Sequence, residues 1–416
     1  MPLQISEKVM ALAAQAQAGL RDQFDRIDSI AEENTRKVLA AFQKHRVAEA
    51  YFAGTTGYGY DDLGRDKLDG IFAELFGTED ALVRVQFVNG THAISCALFG
   101  ALKPGDILVS AVGAPYDTML GVIGVVDKGP GSLKSYGIEY RQVDLLDDAP
   151  DPEGLAWAVR DPRVKAVLIQ RSKGYSTRSS LSVAEIGALC QVVRANNPEA
   201  AILVDNCYGE FVETLEPTQA GADLVVGSLI KNPGGGLAPT GGYIAGRRDL
   251  VGGAAMRLTT PGIGKECGST FGANRSLYQG LFLAPHTTAQ AVKTAVFAAR
   301  MMELLGYRTE PTSDTVRHDI IQMIHFGAPE PLKKFCKGIQ FGAPVDSFVT
   351  PVPWDMPGYD CPVIMAAGAF IQGASIELSC DAPMREPYTA YLQGGLTYES
   401  GKAGVLLAVE ELLRGE

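Results

Sequence analysis

Two stretches decide the fold: AILVDNCYG at residues 201–209 and DLVVGSLIKNPGGG at residues 223–236. Each contains a short apolar run, typical of a buried strand, and ends in polar or glycine-rich sequence. Asp205 follows the first run and Lys231 follows the second. In an open α/β sheet, ligands bind beyond the carboxyl ends of the strands. We therefore expect the acid and the lysine to face one pocket.

Similar apolar runs mark further strands in the central part of the chain, at residues 81–88, 107–112, 164–169 and 242–245. Amphipathic stretches or long connections separate most of them. Short runs of Val, Ile and Leu that alternate with helices indicate a largely parallel sheet with helices on both faces. This pattern predicts a major α/β domain over residues 55–285.

The regions on either side of this domain have a different character. Residues 1–54 predict two helices that form an amino-terminal arm. Residues 286–416 predict a smaller domain, with a long helix at 287–305, proline-rich connections and a last helix at 402–414. The sequence suggests no use for the arm other than contact with a second subunit.

Composition excludes several classes of function. The chain has 416 residues, with 37 basic and 48 acidic side chains and a net charge of −11, which disfavours nucleic acid and anionic lipid as partners. No apolar run is long enough to span a membrane, and residues 1–10 lack a secretory signal. Seven scattered cysteines without a Cys-x-x-Cys pair indicate reduced thiols and a cytoplasmic location. Five histidines without ligand spacing give no support for a metal site.

One chemistry requires an acid and a lysine together. Pyridoxal 5'-phosphate is held by a lysine as a Schiff base, while a carboxylate pairs with its pyridine nitrogen so that the ring accepts electrons. A third element is FVNGTHAI at residues 87–94, where a strand passes through glycine into a helix whose backbone N–H groups suit a phosphate. Ser228, three residues before Lys231, offers a hydroxyl to the same phosphate.

The sequence resembles the fold-type I pyridoxal phosphate enzymes, in particular the cystathionine/methionine gamma-lyase-like family that includes the aluminium resistance proteins. The resemblance covers most of the chain and is clearest in five strings: GYGYDDLGRDK (57–67), NGTHAI (89–94), PYDT (115–118), SLIKNPGGG (228–236) and REPYTAYLQGGLTY (385–398). It implies a mostly parallel, seven-stranded type of sheet covered by helices, with a smaller α+β carboxyl-terminal domain. It also implies a homodimer or homotetramer whose subunits share active sites.

The resemblance also implies roles for individual residues. Lys231 would bind the cofactor aldehyde and move protons, and Asp205 would pair with the pyridine nitrogen. The cofactor phosphate would be bound by Gly90, Thr91 and Ser228. Tyr116 would cover the cofactor ring, with His92 as a rival for that position.

Further roles lie outside this cluster. Tyr58 or Tyr60, with Arg65, would reach the cofactor phosphate of the neighbouring subunit. Arg385 would bind the substrate α-carboxylate, because a guanidinium group matches a carboxylate with two hydrogen bonds. The alternative role for Arg385 is a structural ion pair with Glu386 or Asp381.

The implied function is elimination from a sulfur amino acid of the methionine or cystathionine type, at the β- or γ-carbon, giving a keto acid, ammonia and a thiol. An aldolase or aminotransferase on the same fold, and a non-catalytic protein that binds the cofactor or a metal-complexed organic acid, are alternatives. The sequence departs from the wider lyase pattern at Ile230, Cys207 and the RSKGYS string of residues 171–176. Arg171 and Lys173 in that string are interpreted as a solvated basic turn, with binding of a substrate or phosphate anion as the alternative.

Overall fold

The computed structural model describes residues 5–126, 129–176, 178–356 and 361–414. The helices are α1 (Glu7–Ala18), α2 (Arg21–Lys44), α3 (Leu63–Phe76), α4 (Gly90–Ala101), α5 (Asp117–Ile123), α6 (Pro152–Ala158), α7 (Val183–Asn196), α8 (Arg248–Leu258), α9 (Asn274–Leu304), α10 (Pro329–Phe341) and α11 (Tyr398–Leu413). The strands are β1 (Asp80–Arg84), β2 (Ile107–Ser110), β3 (Glu139–Gln142), β4 (Val164–Gln170), β5 (Ala201–Asp205), β6 (Leu224–Ser228), β7 (Gly242–Gly246), β8 (Arg308–Glu310), β9 (Gln322–His325), β10 (Val363–Ala367), β11 (Ser379–Pro383) and β12 (Thr389–Gln393).

Seven strands form the large sheet, in the order β1-β7-β6-β5-β4-β2-β3. Only β7 runs against its neighbours, and the pairs from β6 through β5, β4 and β2 to β3 are parallel. The carboxyl ends of β4, β5 and β6 therefore lie at one edge of the sheet. The predicted fold class, a mostly parallel sheet in a helix-covered domain, is confirmed.

Both faces of the large sheet are buried. In β5, Ile202 and Val204 belong to one hydrophobic core, whereas Ala201 and Leu203 belong to the core on the other face. Successive side chains of a strand point to opposite faces, so a strand that is apolar at every position must be covered twice. This explains why the strand runs are nearly continuous in sequence.

A second sheet forms the smaller domain, in the antiparallel order β10-β11-β12-β9-β8, and α10 and α11 pack against each other beside it. The amino-terminal helices are part of this packing. Val9, Ala13 and Leu20 are buried in the hydrophobic core of the small domain, together with residues of α9 and α11. The arm therefore has a use within its own chain, and the inference that it serves only a second subunit is wrong.

The helix that links the two sheets begins earlier than the sequence predicted. The expected start was residue 287, but α9 begins at Asn274, spans 31 residues and contains Pro285. The predicted domain boundary at 285–286 consequently falls inside one helix. Strand β3 was not predicted at all, because its sequence, EYRQ, is an exposed edge segment without an apolar run. Among the described helices, none combines the length and the apolar character that a bilayer crossing requires.

Helix α9 also fixes the loop that follows Lys231. A Cβ atom on Gly280 of α9 would lie 2.2 Å from the carbonyl oxygen of Gly234, and one on Gly235 would lie 2.2 Å from the carbonyl oxygen of Gly280. Two backbones approach each other this closely only where side chains are absent. The glycine-rich sequence after Lys231 is therefore a packing requirement.

We expect Gly280→Ala to lower the free energy of unfolding by about 1–3 kcal/mol, because its Cβ would meet backbone atoms that have no free space to move into. Gly252→Ala in α8 is the matched control, since nothing lies within 4 Å of its Cβ position. That change is expected to be neutral or stabilising by up to about 1 kcal/mol. Urea unfolding followed by circular dichroism measures both, and equal effects of the two changes would contradict the packing argument.

Candidate functional site

Asp205 is the last residue of β5, and its backbone pairs with Val226 of β6. The residue is half-buried, and its Oδ1 accepts a hydrogen bond from the backbone N–H of Cys207 at 3.1 Å. Burial raises the pKa of Asp205, whereas the hydrogen bond to Cys207 and the positive charge of Lys231 act in the opposite direction. The carboxylate and the amine are thus close enough to interact electrostatically.

The Lys231 side chain reaches from the large domain to the small one. Its Nζ donates a hydrogen bond to the carbonyl oxygen of Gly373 at 3.1 Å and another to Oγ of Ser375, and it lies 4.9 Å from the ring centre of Tyr208. Burial acts to lower the pKa of Lys231, but the negative charges that Tyr208, Cys207 and Asp381 carry when ionised outweigh it, and the pKa is raised. Because burial also raises the pKa of Tyr208 and Cys207, Asp381 is the one of these three groups that carries its negative charge near neutral pH.

Sequence reasoning missed two of these partners. Tyr208 had a signal in the sequence, because it stands three residues after Asp205 in the same strand-end string. In the structure, its φ of 73° lies in the left-handed region that few residues other than glycine adopt. Ser375 had none, because it lies in a small-domain connection that only the tertiary fold brings to Lys231. Its Oγ also donates to the hydroxyl of Tyr208 at 3.3 Å, so the three side chains form one connected group.

The start of α4 lies against the end of β6. A Cβ atom on Gly90 would lie 3.3 Å from Sγ of Cys207 and 3.4 Å from Cβ of Ser228. The helix is capped by Asn89, whose side chain accepts a hydrogen bond from the N–H of His92 at 2.8 Å. Thr91, in the first turn, shares a hydrogen bond of 2.9 Å with Thr118. The structure therefore brings Gly90 and Ser228 together, with a helix amino terminus that favours an anion.

Tyr116 and His92 differ in where their rings lie. Tyr116 precedes α5, its backbone N–H donates to Oε1 of Gln170 at 2.7 Å, and its ring centre is 5.8 Å from that of Tyr175. The His92 ring is engaged at its own helix start, where Nδ1 accepts from the N–H of Val88 at 3.2 Å and the ring stands edge-on to Phe87. The part of each in covering the cofactor ring stays a prediction.

Within its own chain, the loop before α3 is hydrogen-bonded to residues 268–271. Tyr58 and Tyr60 are 74% and 55% exposed, and their rings stack on each other at 5.7 Å. Arg65 is buried, and its guanidinium donates to the carbonyl oxygens of Gly59 at 2.6 Å and Gly268 at 3.0 Å. The role of these three residues in a neighbouring subunit stays a prediction.

Two charged residues of the small domain, Asp381 and Arg385, lie on β11 and in the turn after it. Arg385 is exposed. Its positive charge acts on Tyr391: burial raises the pKa of Tyr391 to about 12, and the charge of Arg385 opposes that rise. Asp381 lies deeper, where its Oδ2 accepts from the hydroxyl of Tyr175 at 3.2 Å and from Nε2 of Gln393 at 3.3 Å. Burial raises the pKa of Asp381 to about 6, against the charge of Lys231.

The interpretation of Arg171 and Lys173 as a solvated turn is wrong. Arg171 is completely buried, and its guanidinium donates to Oδ1 of Asn206 at 2.9 Å and to Oε1 of Glu213 at 2.7 Å. Lys173 is 1% exposed, and burial lowers its pKa. Arg171 thus joins the end of β4 to the loop after Asp205, and a Cβ atom on Gly209 would lie 2.5 Å from its Cδ.

The donor set fits pyridoxal phosphate on chemical grounds. It contains an amine at Lys231, a carboxylate at Asp205, and helix-start N–H groups beside a serine hydroxyl, with the side-chain-free Gly90 between them. Within the described ranges, no group of three or more His, Cys, Asp or Glu side chains is arranged to hold a metal ion, and no disulfide joins the cysteines. The cluster is suited to an organic cofactor with a phosphate.

Comparison with known proteins gives a family and a fold. A family model described as methionine gamma-lyase matches residues 9–413. A relative from Bacillus subtilis (strain 168), the uncharacterized protein YnbB, is 48% identical over 410 residues, covering 98% of this chain and 97% of that protein.

Two solved structures extend the comparison. The carbon-sulfur lyase involved in aluminum resistance from Clostridium novyi NT has a TM-score of 0.95 and 51% identity, covering 98% of this chain and 97% of that one. The pyridoxal-5'-phosphate dependent protein YhfS from Escherichia coli has a TM-score of 0.60 and 19% identity, covering 92% of this chain and 95% of that one, and shows a likeness of fold alone.

We expect Arg171→Met to lower the free energy of unfolding by about 3–5 kcal/mol, because it leaves the carboxylates of Glu213 and Glu216 without the buried guanidinium that pairs with both. Arg163→Met is the matched control: Arg163 also pairs with two carboxylates, those of Asp161 and Glu139, but is half exposed, so a much smaller change is expected. Urea unfolding of both variants tests this. A similar small loss in both would show that the Arg171 pair is not structural.

Proposed function

The chain belongs to the methionine gamma-lyase family, and from this premise we propose that it is a pyridoxal-phosphate-dependent lyase that breaks a carbon–sulfur bond of a sulfur amino acid. One observation carries the proposal: Asp205 ends β5 and Lys231 follows β6, so the two residues lie beyond the carboxyl ends of adjacent parallel strands. The names of similar proteins agree with a lyase, and the donor set agrees with the cofactor.

The residues that would hold the cofactor come from β5, α4 and β6 of the large domain and from the loop after β6. Lys231 would bind its aldehyde, Asp205 would keep its ring nitrogen positively charged, and Gly90, Thr91 and Ser228 would bind its phosphate. When bound, pyridoxal phosphate supplies an electron sink for the charge that develops at the substrate α-carbon. Asp205 suits its role because a carboxylate in a partly buried position pairs strongly with a cation.

The chain's own residues then act on the substrate. The Nζ atom of Lys231, once neutral, accepts the α-proton, and proton transfer by a positioned amine contributes about 10²–10⁴-fold to the rate. Gly373 and Ser375 accept hydrogen bonds from the same atom and so orient it. Arg385, which is exposed, would bind the α-carboxylate of the substrate. The sulfur takes up a proton and leaves as a thiol, and addition of one water molecule then releases the remaining carbon skeleton as a keto acid and ammonia.

We expect Lys231→Ala, supplied with pyridoxal phosphate, to release thiol from sulfur amino acids at least about 100-fold more slowly than the unchanged protein, because the proton acceptor is lost. Thiol release is followed with a chromogenic thiol reagent, and covalent attachment by borohydride reduction and mass spectrometry. Lys333→Ala, a partly exposed lysine of α10, is the control. If the cofactor were still covalently attached to Lys231→Ala in undiminished amount, the lysine that binds it would instead be Lys173 or Lys265. Formation of glycine and an aldehyde, or stoichiometric amino transfer, would instead indicate an aldolase or an aminotransferase.

We also propose that the protein forms a homodimer or homotetramer with shared active sites. The support is an exposed aromatic surface consisting of Tyr58, Tyr60 and Phe271, the last being 72% exposed. Backbone hydrogen bonds from Phe271 to Thr55 and from Gly268 to Tyr58 hold the two loops of this surface together. Large exposed aromatic groups in one patch are typical of a protein–protein contact.

We expect the double change Tyr58→Ser and Tyr60→Ser to weaken self-association, measured by light scattering after size-exclusion chromatography over a dilution series, and to lower thiol release with it. Trp157→Ser is the matched control, because Trp157 is 73% exposed but stands alone on α6. A fully active monomer of the unchanged protein would contradict the proposal.

A further inference from the structure

Asp381 stands out among the groups around Lys231. It lies in β11, opposite Tyr391 of β12, and within the described ranges its carboxylate accepts hydrogen bonds at Oδ2, from the neutral donors Tyr175 and Gln393. Among the residues that the structure describes, no arginine or lysine forms an ion pair with it. The positive charge that acts on it most strongly is that of Lys231.

This arrangement leaves a carboxylate in need of a cation. A partly buried carboxylate without a positive partner is costly, and two neutral donors on one oxygen offset only part of that cost. Under the proposed function, Lys231 is engaged with the cofactor and is no longer available to Asp381 alone. A cation of the substrate is then the group that would stabilise the carboxylate.

The surroundings of Asp381 favour a cation as well. The hydroxyl of Tyr175 contacts Asp381, and its ring lies 4.8 Å from that of Tyr391 and 5.8 Å from that of Tyr116, so a group of three tyrosine rings lies beside the carboxylate. The faces of aromatic rings attract ammonium groups. A carboxylate beside tyrosine rings is therefore suited to bind an ammonium ion.

The chemistry of the reaction identifies which ammonium group this is. The substrate α-carboxylate is repelled by Asp381, and the α-amino nitrogen forms the bond to the cofactor. The remaining position is on the far side of the sulfur, in the group that leaves. We propose that Asp381 is a specificity-determining residue that binds a second ammonium group carried by the leaving thiol of the substrate. This inference rests on the proposed lyase function.

The experiment compares substrates with and without that second charge. We expect Asp381→Asn to lower kcat/KM for L-cystathionine by at least about tenfold more than kcat/KM for L-methionine and S-ethyl-L-cysteine, because only the first substrate loses a charge-assisted contact. Asp381→Glu should retain much of the preference, because it keeps the charge. Tyr175→Phe is the control, since it removes a hydrogen bond to Asp381 but leaves the carboxylate in place. It should change the ratio less than threefold.

A binding measurement separates this inference from the proposed function. L-Lysine and L-norleucine lack sulfur and differ at the chain end by an ammonium group, and their affinities for the cofactor-loaded protein are measured by calorimetry. We expect tighter binding of L-lysine and about a tenfold loss of that preference in Asp381→Asn. An equal effect of the change on both ligands and on all thioethers would overturn the role of Asp381. Absence of thiol release from every thioether, with the L-lysine preference intact, would overturn the lyase function and not this role.

Discussion

The site depends on one constraint: a charged lysine must be kept partly out of water where two domains meet. Burial alone would lower the pKa of Lys231, whereas the charge of Asp381 acts to raise it and the ring of Tyr208 lies 4.9 Å from Nζ. Hydrogen bonds from Nζ to Gly373 and Ser375 then fix its direction. Each of these contacts is possible only because the strand β6, the loop after β5 and the small domain converge on the same atom.

Much of the fold could be predicted because burial on both faces leaves a clear trace in the sequence. Six of the seven strands of the large sheet coincide with short apolar runs. The seventh, β3, was not predicted because it is an edge strand of polar residues. Helix α9 was predicted too short for a related reason. A proline at position 285 favours a helix start in an isolated sequence, whereas here the flanking turns are buried on both sides of it and tertiary packing outweighs the local preference.

The candidate site could be predicted only where its residues stand next to strand ends. Asp205, Ser228 and Lys231 were identified from such positions, whereas Ser375 and Asp381 come from the small domain, whose approach no local pattern reveals. Charge was also a poor guide to exposure. Arg171 and Lys173 appear in a polar string and are nevertheless buried, since their partners lie far along the chain.

The two domains contribute different groups to the candidate site. The large domain provides the groups that suit the cofactor, and its geometry is fixed by the parallel sheet and by close glycine contacts with α9. The small domain provides the hydrogen-bond acceptors of Lys231 and the carboxylate of Asp381, from β11 and the segment before it. A change in the small domain therefore alters how the amine of Lys231 is oriented, while Asp205, Ser228 and the start of α4 are left in place.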